Sequence, residues 1–191
     1  MQSLKWLDPL LSFINKKHKI SFNTQSNNLH EALGPISWLE GTWRSVKGVM
    51  DHPKIKVPFL FDEIISFTSM GHQPLYYYTS VATNPQDKNA LLHLEVGHLI
   101  INECKAVGLL AVHRFGCTTI EQGLLKNDTV LEMSSCEIGS SKFIKKPLYG
   151  TYRIYSLNRH GQLTYKLALA SYPGKLVDHI WCTYEKQDNC T

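Results

Sequence analysis

From Gln162 to Ser171 the chain alternates. Leu163, Tyr165, Leu167 and Leu169 fall on one face, and Thr164, Lys166, Ala168 and Ala170 on the other. A period of two residues belongs to a half-covered strand, because successive side chains leave the pleated backbone on opposite sides. The same period places Val57, Phe59, Phe61, Ile65 and Phe67 on one side, interrupted by Glu63, and a tyrosine-rich run spans Leu75 to Val81. Turn-forming clusters separate such runs: Met70-Gly71-His72, Thr83-Asn84-Pro85, Lys126-Asn127-Asp128 and Asn158-Arg159-His160-Gly161. About eight to ten short strands at this rhythm, with no strand–helix–strand alternation, predict an all-β fold: an antiparallel sandwich or barrel. A barrel of this size either encloses one small ligand or fills with side chains. The alternation leaves both open.

The 191 residues suit a single domain. Ahead of the strands, Asp8-Pro9 reads as a helix N-cap followed by proline at the first helical position. Leu7, Leu10, Leu11 and Ile14 recur at helical spacing, so a short amphipathic helix ending near Lys16 is expected. Asn23 to Asn28 reads as a polar linker, and a second helical turn is placed at Leu29 to Leu33. The period-two pattern starts at Ile36. The expected organisation is an N-terminal extension over 1–32, a barrel over 33–187 and a tail over 188–191.

A net charge of +4 without any block of like charges gives no footprint for nucleic acid; Lys16-Lys17 and Lys145-Lys146 are isolated pairs. Asp8 and Pro9 interrupt the apolar stretch near the N-terminus, so no secretory signal is expected. No run approaches the ~18–20 apolar residues that cross a bilayer, so no membrane partner is expected. Five cysteines (Cys104, Cys117, Cys136, Cys182 and Cys190) lack CxxC spacing. They read as free thiols in a reducing compartment, cytoplasmic with the nucleus left open.

GxSxG, HExxH, P-loop and GxGxxG motifs are absent. Among nine histidines, His52, His72 and His160 sit in turn-like segments, and His93, His113 and His179 lie inside strand patterns. A strand histidine is ordinarily a hydrogen-bonded side chain. His179 differs: it lies on the last strand, Val177 to Tyr184, between apolar and aromatic residues, with Asp178 the nearest carboxylate in sequence. A neutral imidazole facing an apolar cavity suits a metal or haem iron.

Several short segments then carry a resemblance as a set. They are Ile36 to Trp43 (ISWLEGTW), Pro58-Phe59-x-x-Asp62-Glu63-Ile64, Gly71-x-x-Pro74, His93-x-Glu95-x-Gly97, Leu157-Asn158-x-x-Gly161-x-Leu163, and His179-Ile180-x-x-Thr183-Tyr184-x-Lys186. In this order and spacing, from about Leu33 to Lys186, the chain resembles the nitrobindins, which are similar to the C-terminal domain of animal THAP-domain proteins. The resemblance implies a roughly ten-stranded antiparallel β-barrel, lipocalin- or fatty-acid-binding-protein-like, with a short helical extension in front. It implies haem b at the open end, with His179 as the axial iron ligand. It implies action on reactive nitrogen species: peroxynitrite isomerisation to nitrate, and nitric oxide binding.

Departures from the family pattern fall around the haem edge. The family's G-x-W-x-G-x-G reads Gly41-Thr42-Trp43-Arg44-Ser45-Val46-Lys47, without its later glycines. A haem-contacting threonine after a proline is replaced by Lys54, for which two readings stand: it attracts a haem propionate or an anionic substrate, or it is a solvated surface lysine. A family arginine is replaced by Ile100, a threonine-rich run by Ser171-Tyr172-Pro173, and a middle-strand glutamine by His113. For His113 two readings stand: it reaches the open face of the haem, to ligate iron or donate to a bound anion, or it points outward or pairs with a polar group on a neighbouring strand. The competing function is a haem-free barrel for a fatty acid or other lipid, with Arg153 or Arg114 receiving the carboxylate.

Overall fold

From Gly41 onward the stretches with the two-residue period form strands, and the strands close on one another. The computed structural model describes residues 29–51, 56–142, 144 and 147–188. The helix expected near Asp8 to Lys16 lies outside the described residues. The strands are β1 (Gly41–Met50), β2 (Phe59–Ser69), β3 (Leu75–Asn84), β4 (Asp87–Ile101), β5 (Ala106–His113), β6 (Cys117–Asn127), β7 (Val130–Ser140), β8 (Gly150–Leu157), β9 (Leu163–Tyr172) and β10 (Lys175–Lys186). Each pairs with its neighbour in sequence, and β1 pairs with β10 to close the barrel. Every pairing is antiparallel. Closure leaves no open sheet edge.

A 3₁₀ helix over Glu31–Leu39 stops one end. It replaces both the helical turn read at Leu29 to Leu33 and the start of the strand pattern at Ile36. Two short 3₁₀ turns meet at a kink at Ile36 (φ −116°, ψ 17°), and Leu33, Ile36 and Leu39 all turn to the interior, where a strand would alternate Ile36 and Leu39 between faces. All three are fully buried against the barrel core. His30 caps the helix, its Nδ1 accepting from the Ala32 amide at 3.2 Å. Trp43 Nε1 donates to the Leu39 carbonyl at 2.8 Å and fastens the plug to β1.

In an up-and-down barrel the strand ends gather at two rims. At the plugged rim Trp43, Phe67, Tyr76, Leu99, Leu163 and Tyr184 fill the interior. The other rim is formed by the ends of β1, β3, β5, β7 and β9 and the starts of the even-numbered strands. Gly97 on β4 allows the close approach of β5: a Cβ there would sit 1.9 Å from the Leu110 carbonyl oxygen. Glu63 does not interrupt the inward face of β2. It lies in register with Phe61, Ile65 and Phe67 and is buried with them.

Candidate functional site

The choice between a filled and a hollow barrel is settled separately at each end. Opposite the plug the interior holds a cavity of about 710 Å³, in the upper half of the ~300–1,000 Å³ range of small-molecule sites. Phe115, Leu148, Leu167, Leu169 and Ile180 supply apolar wall. Glu63, Ser80, Glu95, Arg153 and Tyr165 line it deeper, towards the filled half.

His179 enters this cavity because β10 is irregular there. Against β9, Asp178 pairs with Ala168 and Ile180 with Leu167, so His179 is an extra residue on the β10 side. Such a bulge re-aims side chains. Ile180, Cys182 and Tyr184 form one inward alternation, and the bulge lets adjacent His179 face the same cavity as Ile180. Asp51, just past β1, then holds His179 twice. Its amide donates to the His179 carbonyl at 2.8 Å, and its carbonyl lies 2.8 Å from His179 Nδ1. A carbonyl only accepts, so Nδ1 carries a proton, and in the neutral ring the lone pair lies on Nε2.

Deeper in, a polar network surrounds Arg153, which is fully buried. Its guanidinium donates to Glu95 through Nη2 (2.7 Å) and to Glu121 through Nε (2.9 Å). Nη1 reaches the hydroxyls of Tyr78 and Tyr155, each at 3.1 Å. Burial pushes the Glu95 carboxyl up, but the Arg153 charge and a hydrogen bond from His93 outweigh it and hold Glu95 well below the carboxylate range. Glu63 goes the other way. Burial raises it, against hydrogen bonds from Ser80 and Tyr184, and no guanidinium faces it.

His93 and His113 stand in the wall opposite His179. The order of strands in the closed ring puts β5 five places from β10, the widest separation ten strands allow. His93 and Glu95 are two residues apart on β4 and share a face, and Glu95 pairs across the ladder with His113. His93 Nε2 donates to Glu95 Oε2 at 3.2 Å. His113 is buried, lines the cavity, and meets Thr119 on β6 with its Nε2 at 3.1 Å. His113 thus faces the cavity while pairing with Thr119 of a neighbouring strand. Burial lowers the pKa of its imidazole, with Glu95 opposing and Arg153 reinforcing.

Lys54 lies outside the described residues. Arg153 is not available to a lipid carboxylate, since two protein carboxylates already occupy it. Arg114 is exposed, stacked over Phe115 and donating to the Leu91 carbonyl. Cys117 and Cys182 are buried free thiols, the latter pushed up by burial to about 12; Cys104 and Cys136 are free and exposed. The network of Arg153, Glu95 and Glu121 is absent from the sequence reading. Its signal was present: Thr151, Arg153 and Tyr155 alternate on β8 with the phase of buried residues. Among the described residues no helix is long and apolar enough to cross a membrane.

Comparison with known proteins gives the same residues a context. Over 161 residues the chain is 27% identical to the rat protein named peroxynitrite isomerase THAP4, covering 83% of this chain and 28% of that protein. The chain thus spans little more than a quarter of the mammalian relative. A Nocardioides protein named peroxynitrite isomerase is 27% identical over 164 residues, 84% of this chain and 96% of its own length. The crystal structure of Rv2717c from M. tuberculosis superposes with a TM-score of 0.73 at 28% identity, covering 84% of this chain and 99% of that one. The family model for the THAP4-like, heme-binding beta-barrel domain matches residues 32–186. This chain belongs to the THAP4-like family of haem-binding β-barrel domains.

Proposed function

We propose that the domain holds haem b in the open end of its barrel through His179, and uses it on peroxynitrite, isomerising it to nitrate, and to bind nitric oxide. The observation that carries this reading is the seating of His179. A bulge turns it into an apolar-walled cavity, and the Asp51 carbonyl holds the Nδ1 proton, leaving Nε2 as the ligating nitrogen. The residues present fit a porphyrin. Leu148, Leu167, Leu169 and Ile180 offer apolar surface, and Thr151 Oγ1 is buried in the wall with no hydrogen-bond partner among the described residues. Lys54 is the proposed partner of a haem carboxylate or of an incoming anion. The names of the rat and Nocardioides relatives support the choice of substrate.

When bound, the haem would supply a Lewis-acidic iron able to act on a small anion. The chain does the rest. The Asp51 carbonyl fixes the orientation of His179. The apolar wall excludes water around the ligand. His93 and His113 border the cavity on the far side. A fatty-acid carrier is the weaker reading, because the buried cation such a ligand needs is already paired twice.

The test is haem titration of the purified chain. The parent is expected to develop a shifted Soret band. His179→Ala is expected to lose it and keep the far-ultraviolet β signature. Equal affinity and an unchanged spectrum in the variant would remove His179 from the iron. Haem-loaded parent is further expected to speed peroxynitrite decay beyond free haem and to return nitrate.

A further inference from the structure

We infer that His93, Glu95 and His113 form a second site in this cavity, for a divalent first-row transition-metal ion, on the wall opposite His179. One donor atom from each of the three lies within 4.8 Å of the others. Two imidazoles and a carboxylate are a donor set that zinc and ferrous iron accept, with further positions open towards the cavity. His93 Nε2 and Glu95 Oε2 are 3.2 Å apart, and His113 Nδ1 is 4.0 Å from the same oxygen. Donors about 2.0–2.1 Å from a tetrahedral ion stand about 3.3 Å from each other. The His93–Glu95 edge already has that length, and the His113 ring has less than 1 Å to close on Glu95.

The surrounding hydrogen bonds set the nitrogens for this role. Thr119 Oγ1 gives its one proton to Glu121 Oε1 at 3.3 Å, since a carboxylate accepts and does not donate. Thr119 must then accept from His113, which places that proton on Nε2 and the neutral ring's lone pair on Nδ1, the nitrogen facing Glu95. A ligating histidine ordinarily has its other nitrogen held in this way. Glu95 is likewise held. Oε1 takes the Arg153 Nη2 bond at 2.7 Å, while Oε2 meets the two imidazoles and accepts a longer bond from Arg153 Nη1 at 3.4 Å. In the ion-free state the His93 Nε2 proton bridges to Oε2; the ion takes that place, and the proton moves to Nδ1 of the partly exposed ring.

Charge gives an independent argument. Arg153 forms ion pairs with both Glu95 and Glu121, so this buried cluster holds two carboxylates against one guanidinium. A low-dielectric wall with a carboxylate in excess favours a cation. None of this depends on haem at His179.

The full chain, haem-free and haem-loaded, is titrated with zinc by calorimetry and with cobalt(II) by visible absorption. The parent is expected to bind one ion, with a cobalt spectrum free of thiolate charge transfer. His113→Gln and the double variant His93→Gln/His113→Gln are expected to weaken zinc at least a hundredfold. Thr119→Val, which keeps all three ligands, is expected to weaken it about tenfold or more. His179→Ala is expected to keep zinc binding while losing the Soret band. Should the double variant fold poorly, Thr119→Val and His113→Gln decide. Parent affinity no better than that of these variants, or a thiolate-bearing cobalt spectrum, overturns the site. Zinc binding without haem binding would overturn only the haem assignment.

Discussion

Glu63 and Glu95 show how a single buried carboxyl takes its charge state from its neighbours. Both are fully inside the barrel, yet Glu95 faces Arg153 and sits below the ordinary 4.5, while Glu63 faces hydroxyls and sits above it. Their effects on stability have opposite signs. Glu63 binds its proton more tightly in the folded state, so its contribution is full below 4.5 and is lost as pH rises through its raised value. Glu63→Gln keeps the shape and removes the loss. Urea unfolding at a series of pH values is expected to show the variant gaining on the parent as pH rises above 4.5. A difference flat with pH would mean Glu63 is ionised in the barrel. Glu95 contributes stability above 4.5 that is lost as pH falls. Arg153→Met leaves two carboxylates buried without their cation and is expected to cost about 3–5 kcal/mol at neutral pH.

The bulge in β10 is the element on which the proposed haem site turns. Deleting Asp178 restores a regular register with β9: Val177 stays opposite Leu169, and His179 takes the place of Asp178 opposite Ala168, pointing outward. The barrel is expected to keep its far-ultraviolet signature and lose its Soret band, a separation that His179→Ala alone does not attribute to strand geometry. Retained haem binding would show that another residue ligates the iron. Gly97 tests the ladder in a different way. Any side chain there meets the Leu110 carbonyl, so Gly97→Ala must push β4 and β5 apart. The expected cost is about 1–3 kcal/mol or more, and the His93–Glu95–His113 cluster, which spans those two strands, is expected to bind zinc less well.

For the molecule as a whole, the plug decides where the folding unit begins. Residues 1–28 precede it, and we propose that they are dispensable for folding and haem binding. Leu29 packs on the core and His30 caps the 3₁₀ helix, and both fall in the helical turn read at Leu29 to Leu33. A chain starting at Leu29 is expected to match the parent in thermal midpoint. A chain starting at Ala32 loses the cap and the Leu29 contact, and is expected to be less stable by about 1–2 kcal/mol. Equal midpoints for both truncations would place the boundary later, and loss of folding in the longer one would show that the first residues pack on the barrel.

The sequence by itself determined an all-β fold of antiparallel strands, and the family resemblance narrowed sandwich or barrel to a barrel. Alternation such as Leu163 to Leu169 specifies a strand with one covered face, and neighbouring strands joined by short turns can pair only as an antiparallel meander. It also singled out His179, because an imidazole among apolar residues on a strand is costly without a purpose. Three things were decided only in the closed structure. Ile36 joined the plug at the kink between its two 3₁₀ turns, where it is fully buried in the barrel core. His179 met Asp51 across 128 positions of chain, and its inward aim depends on an extra residue that shows only against β9. Arg153, Glu95 and Glu121 lie on three strands, β8, β4 and β6, that become neighbours in space only when the ring closes. Local periodicity records which face of a strand is covered; which side chains share the covered space depends on register and closure, and those are properties of the whole chain.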